Sequence, residues 1–272
     1  MRTIASRISS VDMLRMYRIP PALVAVAAAA LLAFLVGCGS GDDPPLAHVT
    51  GVAGSPSTAQ LDRWMHGMVA GDYIASIGRS APQGLVSEPA DYSECAVAAK
   101  KVVPRTSTSA PKLTNAQISQ KCRQLYRAVK AQALGYLIQA RWIVAEAAEE
   151  GVKVSDSLVR ERFAQLRKQA YPTDAALRRY LDERQLTLPD LLFELKRNLL
   201  NEKILASFKA KVEKIGGGKK TYIKLALQRY KSMVARTKCR SGYVVPSCSE
   251  YRGPPIVVPS PNMLLEYFVA GK

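Results

Sequence analysis

Two histidines, His48 and His66, and five cysteines, Cys38, Cys95, Cys122, Cys239 and Cys248, are the side chains of this 272-residue chain best suited to do chemistry. A nucleophilic triad needs an imidazole within hydrogen-bond reach of a serine or cysteine and of an orienting acid. His48 stands ahead of the first helix and His66 on it, so neither has the setting of a catalytic base. A structural zinc site needs four ligands at close, paired spacings. These cysteines form no CxxC pairs and the histidines lie far from them, so no metal is expected. Glu146, Glu149 and Glu150 offer an acid and a base, but their place at a helix end reads as a solvated terminus. Tyr136 and Trp142 offer aromatic faces to a peptide, yet their spacing is that of core positions. No catalytic residue and no cofactor is expected, which leaves the thiols themselves.

Arg2, Arg7, Arg15 and Arg18 precede ALVAVAAAALLAFLV, an apolar run from Ala22 to Val36 of signal-peptide length. It is shorter than the ~20 residues that span a bilayer. The tetrad Leu35, Val36, Gly37 and Cys38 resembles the bacterial lipobox, which implies cleavage before Cys38 and acylation of its thiol. Residues 1–37 are then a leader, and 38–57 a polar tether and lead-in segment. Once Cys38 carries lipid, Cys95, Cys122, Cys239 and Cys248 remain, an even number in an oxidising compartment, and two disulfides are expected. Of the three connectivities, Cys95 with Cys122 and Cys239 with Cys248 are favoured, because each pair is local and flanks a segment rich in turn residues. The leader holds four of the 39 basic and one of the 22 acidic residues, leaving +14 on the mature chain. On an exported chain that excess fits an anionic membrane surface, acidic clients or wall polymers, and nucleic acid is not expected as a partner.

Helices must position these residues. From Leu125 to Ser155, Val129, Leu134, Leu137, Ile138, Trp142, Ile143, Val144 and Ala148 recur at three- and four-residue steps, which predicts a helix buried on a broad face. Leu113, Thr114 and Asn115 open it, and Gly151, with Val152 behind it, closes it. Its basic residues cluster near the start and its acids at the end, against the helix dipole, so tertiary packing must hold it. Ser57 or Thr58 caps an earlier helix bearing Leu61, Trp64, Met65 and Met68. Between Gly71 and Pro111 an extended loop is expected. Ser155 starts a helix carrying Leu158, Phe163, Leu166 and Ala170 and ended by Pro172, and Thr173 caps a short one carrying Leu177 and Leu181. Thr187, Leu188, Pro189 and Asp190 are a strong start signal. Leu188, Leu192, Leu195 and Leu199 should then pack back on the central helix. Gly216, Gly217 and Gly218 read as a flexible linker. A basic amphipathic helix follows, with Tyr222, Leu225, Leu227, Tyr230, Met233 and Val234 as its less polar positions. Arg252 to Lys272 is proline-rich and then apolar, a docking segment or a disordered tail.

The words LIQARWIVAEAAEEGVKVSDSLVRERFAQLRKQ resemble the N-terminal chaperone domain of the SurA and PrsA foldases, with Leu137, Glu146, Gly151, Val154, Ser155 and Val159 in the matching places. The likeness continues through TDAALRRYLDERQLTLPDLLFELKRNLLNEKILASF and covers roughly Leu113 to Phe208. HVTGVAGSPSTAQLDR resembles the family's lead-in to its first helix, and CRSGYVVPSC the C-terminal close of actinobacterial PrsA-like proteins. The resemblance implies a mainly α fold of the SurA N-terminal or trigger-factor-like kind over 58–215. A C-terminal helix within 219–272 would pack back on it beyond the 216–218 linker. It also implies an ATP-independent chaperone binding unfolded or nascent exported proteins. Full-length relatives carry a parvulin prolyl isomerase domain, which has no room between Lys209 and Thr221. The alternatives are therefore an isomerase, as in those relatives, or a structural envelope lipoprotein with one fixed partner. The residues that would touch a client remain unassigned.

Overall fold

Thr114 begins the element on which the others pack. In the computed structural model, which describes residues 44–77, 80–102 and 113–253 less the side chains of 72–77 and 101–102, the chain is mainly α-helical. The leader, Cys38 with its lipobox, Pro104, Pro111 and the tail 254–272 lie outside the described residues. Those that are described belong to one unit, residues 42–272. The order is β1 (Ala47–Val49), α1 (Thr58–Ile77), α2 (Ser93–Val102), α3 (Asn115–Glu149), α4 (Asp156–Ala170), α5 (Asp174–Glu183), α6 (Leu188–Lys214), α7 (Lys219–Ala235) and β2 (Thr237–Cys239).

α3 runs unbroken for 35 residues, about 50 Å of spine. It starts with a capping box: the Thr114 hydroxyl accepts from the Gln117 N–H, and the Gln117 side chain accepts from the Thr114 N–H. Ile118, Cys122, Leu125, Val129, Leu134, Leu137, Ile138 and Trp142 are buried along it, with Ala133 and Ala140 letting neighbours approach closely. Leu61, Trp64, Met65 and Val69 of α1 and Cys95, Ala98 and Ala99 of α2 complete this core. Burying a leucine such as Leu134 contributes roughly 2 kcal/mol.

The expected closure holds in detail. Gly151 has φ +65°, its N–H donates to the Ala148 carbonyl, and the Val152 N–H donates to the Ala147 carbonyl. Val152 then packs with Val154 against Ile143, Ala147, Leu200 and Ile204. Because a Cβ on Gly151 would meet nothing within 4 Å, Gly151→Ala tests the backbone alone. It is expected to cost about 1 kcal/mol, read as a lower urea midpoint at an unchanged slope. Ser155, Thr173 and Thr187 cap α4, α5 and α6, their side chains accepting from Leu158, Ala176 and Asp190 N–H groups. The Ser57 side chain accepts from the Gln60 N–H to start α1.

Five expectations need correction. The stretch expected as an extended loop holds the end of α1 and all of α2, since Cys95, Ala98 and Ala99 make a small apolar face against α3. Only residues 80–92, with Pro82 and Pro89, are loop among those described there. The α6 stripe is rotated: Leu191, Leu199, Leu200, Ile204 and Val212 are buried, and Leu188 is exposed. Asp190 is the cause. Its carboxylate closes the Thr187 box and also accepts from the Arg63 guanidinium of α1, so that side of the helix turns inward. The three glycines form a close turn. Gly216 sits at φ +65°, and the Gly217 N–H donates to Val212, whose side chain a Gly217 Cβ would meet at 3.0 Å. α7 buries only Met233, and Tyr222, Leu227 and Tyr230 are exposed. The fifth concerns the acids at the end of α3, described below.

α7 is held back on the body at its edges. Trp142 and Tyr230 meet edge to face at 5.6 Å, as do Phe208 and Tyr222 at 5.0 Å. The Trp142 indole N–H donates to the Thr237 hydroxyl, which donates to the Met233 carbonyl, both at 2.8 Å. β2 pairs antiparallel with β1, Ala47 opposite Cys239 and Val49 opposite Thr237. Val245 and Cys248 of the following loop enter the same core.

Candidate functional site

Both local disulfides are formed, Cys95 to Cys122 and Cys239 to Cys248. The first ties α2 to α3; the second closes the loop behind β2. Cys38, the acylation candidate, lies outside the described residues. His48 is exposed on β1, and His66 on α1 lies 3.3 Å from the Asp62 carboxylate. Neither has a nucleophile beside it. Among the described residues no three His, Cys, Asp or Glu side chains converge to hold a metal ion.

The acids expected as a solvated helix end are instead neutralised from outside. Glu146 makes a two-pronged pair with Arg229 of α7, Glu149 meets Arg236 at 2.6 Å, and Glu150 meets Lys211 of α6 at 3.0 Å. The Glu146 and Glu150 side chains are only 14% and 19% exposed. Three carboxylates at the negative end of a helix repel its dipole, and three cations from later elements offset that repulsion. Burial pushes the Glu150 carboxyl up, but hydrogen bonds from Lys211 and Ser207 and the Lys211 and Arg229 charges together hold the group below its ordinary value. These pairs line a cleft of about 300 Å³ between α3, α6 and α7.

A second polar cluster had no local signal. Glu88 accepts from the Tyr126 hydroxyl, from the Tyr243 hydroxyl at 2.8 Å and from Lys130 at 3.0 Å, while its own N–H donates to Asp62 at 2.8 Å. Loop 80–92, α1, α3 and the loop after β2 are thereby pinned at one point. Tyr136 and Trp142, considered as peptide contacts, serve packing. Tyr136 is sandwiched between Trp64 at 4.6 Å and the Arg197 guanidinium at 4.5 Å, and Trp142 is 6% exposed. Burial first, then the Glu194 charge, pushes the Tyr136 phenol up to about 12.

The arm made by α4 and α5 differs from the rest. Val159 and Leu177 are its only buried residues, while Leu158, Phe163, Leu166 and Leu181 stay half-buried. Tyr171 and Tyr180 stack at 4.5 Å where the two helices meet, with the Arg184 guanidinium over Tyr180. Burial and the Tyr180 hydroxyl both push the Tyr171 phenol up. α4 is fastened to α6 by charges at its rim, Lys196 to Asp156 at 3.2 Å and Arg162 to Glu202 at 3.8 Å, and the Lys203 ammonium donates to the Lys153 carbonyl. Apolar side chains left half-covered on this arm can bind an apolar segment. Compared with protein-family models, with curated proteins and with solved structures, the chain matches none.

Proposed function

We propose that this chain is an ATP-independent chaperone anchored through Cys38 to the outer face of a membrane, which holds apolar segments of unfolded exported proteins on the α4–α5 arm. The observation that carries the reading is the arm itself. Leu158, Phe163 and Leu166 of α4 and Leu181 of α5 are apolar yet only half-covered by the body. Leaving such side chains wet forfeits about 1 kcal/mol or more each, which an extended client segment recovers by lying across them. The likeness of residues 113–208 to SurA and PrsA chaperone domains supports the same reading. Binding is weak and broad, since a surface that accepts many sequences is closely complementary to none. Release follows when the client buries its own apolar surface. The isomerase alternative finds little support, because Lys209 to Thr221 is occupied by the end of α6, the glycine turn and the start of α7.

The test is paired. Light scattering of an aggregating unfolded client is followed with and without the protein, and isomerisation of a prolyl peptide is measured at matched concentration. Suppression of scattering is expected, without catalysis, and Phe163→Ser with Leu166→Ser should abolish most of the suppression while the circular dichroism spectrum stays helical. Catalysis well above the uncatalysed rate would overturn the reading. No effect in either assay would favour an envelope lipoprotein with one fixed partner.

A further inference from the structure

The exposed face of α7 lies on a different element from the arm and poses a separate question. α7 carries Lys219, Lys220, Lys224, Arg229 and Lys231 and no aspartate or glutamate. Its inward side spends Arg229 on Glu146 and buries Met233. On the outward side Ile223 and Leu227 stand one four-residue step apart and are 46% and 54% exposed. Lys220, Lys224 and Lys231 run beside that row at the same helical spacing and have no acidic partner among the described residues. The first turn adds a second anomaly. Its cap, Gly218, supplies no side-chain acceptor, and Lys219 and Lys220 place positive charge at the positive end of the dipole. Everything about this face calls for an anion spread over an apolar surface.

We propose that the face of α7 formed by Lys220, Ile223, Lys224, Leu227 and Lys231 docks on an anionic lipid bilayer. A helix with an apolar row, cationic flanks and no acids is suited to the headgroup boundary, where side chains such as Ile223 and Leu227 enter the acyl region and lysines meet phosphates. The fold places this face where such a surface is within reach. α7 is followed directly by β2, and the Pro44 carbonyl accepts from Arg240 next to β2 at 2.9 Å. Six residue steps separate Pro44 from Cys38, so a lipid there lies no more than about 20 Å from that point. The docking does not depend on acylation or on the chaperone reading, and it gives the protein a second hold on the membrane.

The experiment uses the unacylated unit of residues 42–272, which contains the whole described core and both disulfides. It is floated with vesicles of phosphatidylcholine alone and of phosphatidylcholine with phosphatidylglycerol. Binding to the anionic vesicles only is expected, and it should be lost in about 0.5 M salt, where screening lengths fall to a few ångströms. Lys220→Gln with Lys224→Gln and Lys231→Gln should weaken partitioning about a hundredfold. Ile223→Ser with Leu227→Ser should also weaken it, with the helical spectrum of both variants unchanged. No binding to anionic vesicles, binding that survives the lysine variant, or binding indifferent to the apolar pair would each overturn the proposal. So would a lysine variant that keeps its vesicle binding but no longer suppresses client aggregation, since the face would then belong to the client. Because α4 and α5 are untouched, failure here leaves the arm's role to be judged by its own assay.

Discussion

Glu88→Gln is expected to cost about 3 kcal/mol and to loosen loop 80–92, α3 and the loop after β2 from one another. The Glu88 side chain is 6% exposed and its ammonium partner Lys130 15%, so neither is solvated enough to tolerate losing the other. Glutamine keeps the shape and one acceptor oxygen, but its amide nitrogen turns donors either toward the Tyr243 hydroxyl or toward the Tyr126 hydroxyl and Lys130, and in both cases the Lys130 charge is left without its counter-ion. The effect depends on pH in a definite direction. Burial pushes the Glu88 carboxyl up, but hydrogen bonds from Tyr126, Tyr243 and Lys130 outweigh it, so in the folded chain it lies below its ordinary value of 4.5. A group whose folded value is depressed stabilises above its unfolded value and loses that contribution as pH falls through the folded one. Urea melts stepped downward from neutrality should therefore show the gap between wild type and Glu88→Gln narrowing below about pH 4.5. A gap that stays constant in acid would mean the carboxylate charge contributes nothing. The Glu150–Lys211 pair has the same sign and adds to the acid sensitivity of both proteins.

Removing the Cys95–Cys122 bridge as a double alanine variant is expected to cost about 3–4 kcal/mol, from the entropy returned to an unfolded chain whose 27-residue loop is no longer closed. Among the described residues α2 has little else to hold it. Its buried face is Cys95, Ala98 and Ala99, side chains too small to bury much apolar area. Residues 80–102 should become the first site of limited proteolysis in the variant. The Cys239–Cys248 bridge closes only 9 residues, so its removal should cost about 1 kcal/mol less on loop entropy alone. Urea melts of both double variants provide the comparison. The reverse order would show that native packing around Cys248, and not the freedom of the unfolded chain, sets the scale.

The parts of the fold that were legible in the sequence are those decided within one helical turn. Thr114, Ser155, Thr173, Thr187 and Gly151 announce helix ends because a cap's partner is three or four residues away. The periodicity of α3 announces a spine because its burial is spread over the whole helix. What stayed hidden was set by partners distant in sequence. Asp190 turns α6 by capturing Arg63, 127 residues earlier, and no pattern inside α6 records that. The acids of α3 did show as an anomaly against the dipole, but its resolution stood at Arg229 and Arg236, 83 and 87 residues on. At the candidate site, Leu158, Phe163, Leu166 and Leu181 could be read as apolar helix positions. Their half-coverage could not, since it depends on how α6, a separate element, packs against the arm.

β1 and β2 are three residues each, yet their pairing fixes the order of events as the chain appears. Ala47 must wait for Cys239, about 190 residues later, before its strand has a partner, and closing a loop that long carries an entropic cost that local helices do not share. α3 and its caps can form early; the core around Leu46 and Val49 cannot. A chain emerging amino end first as it is made is therefore an open string of helices for most of its length, and it becomes a finished body only when its last fifth arrives. Any truncation before Thr237 should leave the first strand permanently unpaired, so that the N-terminal and C-terminal ends of this protein are acquired, or lost, together.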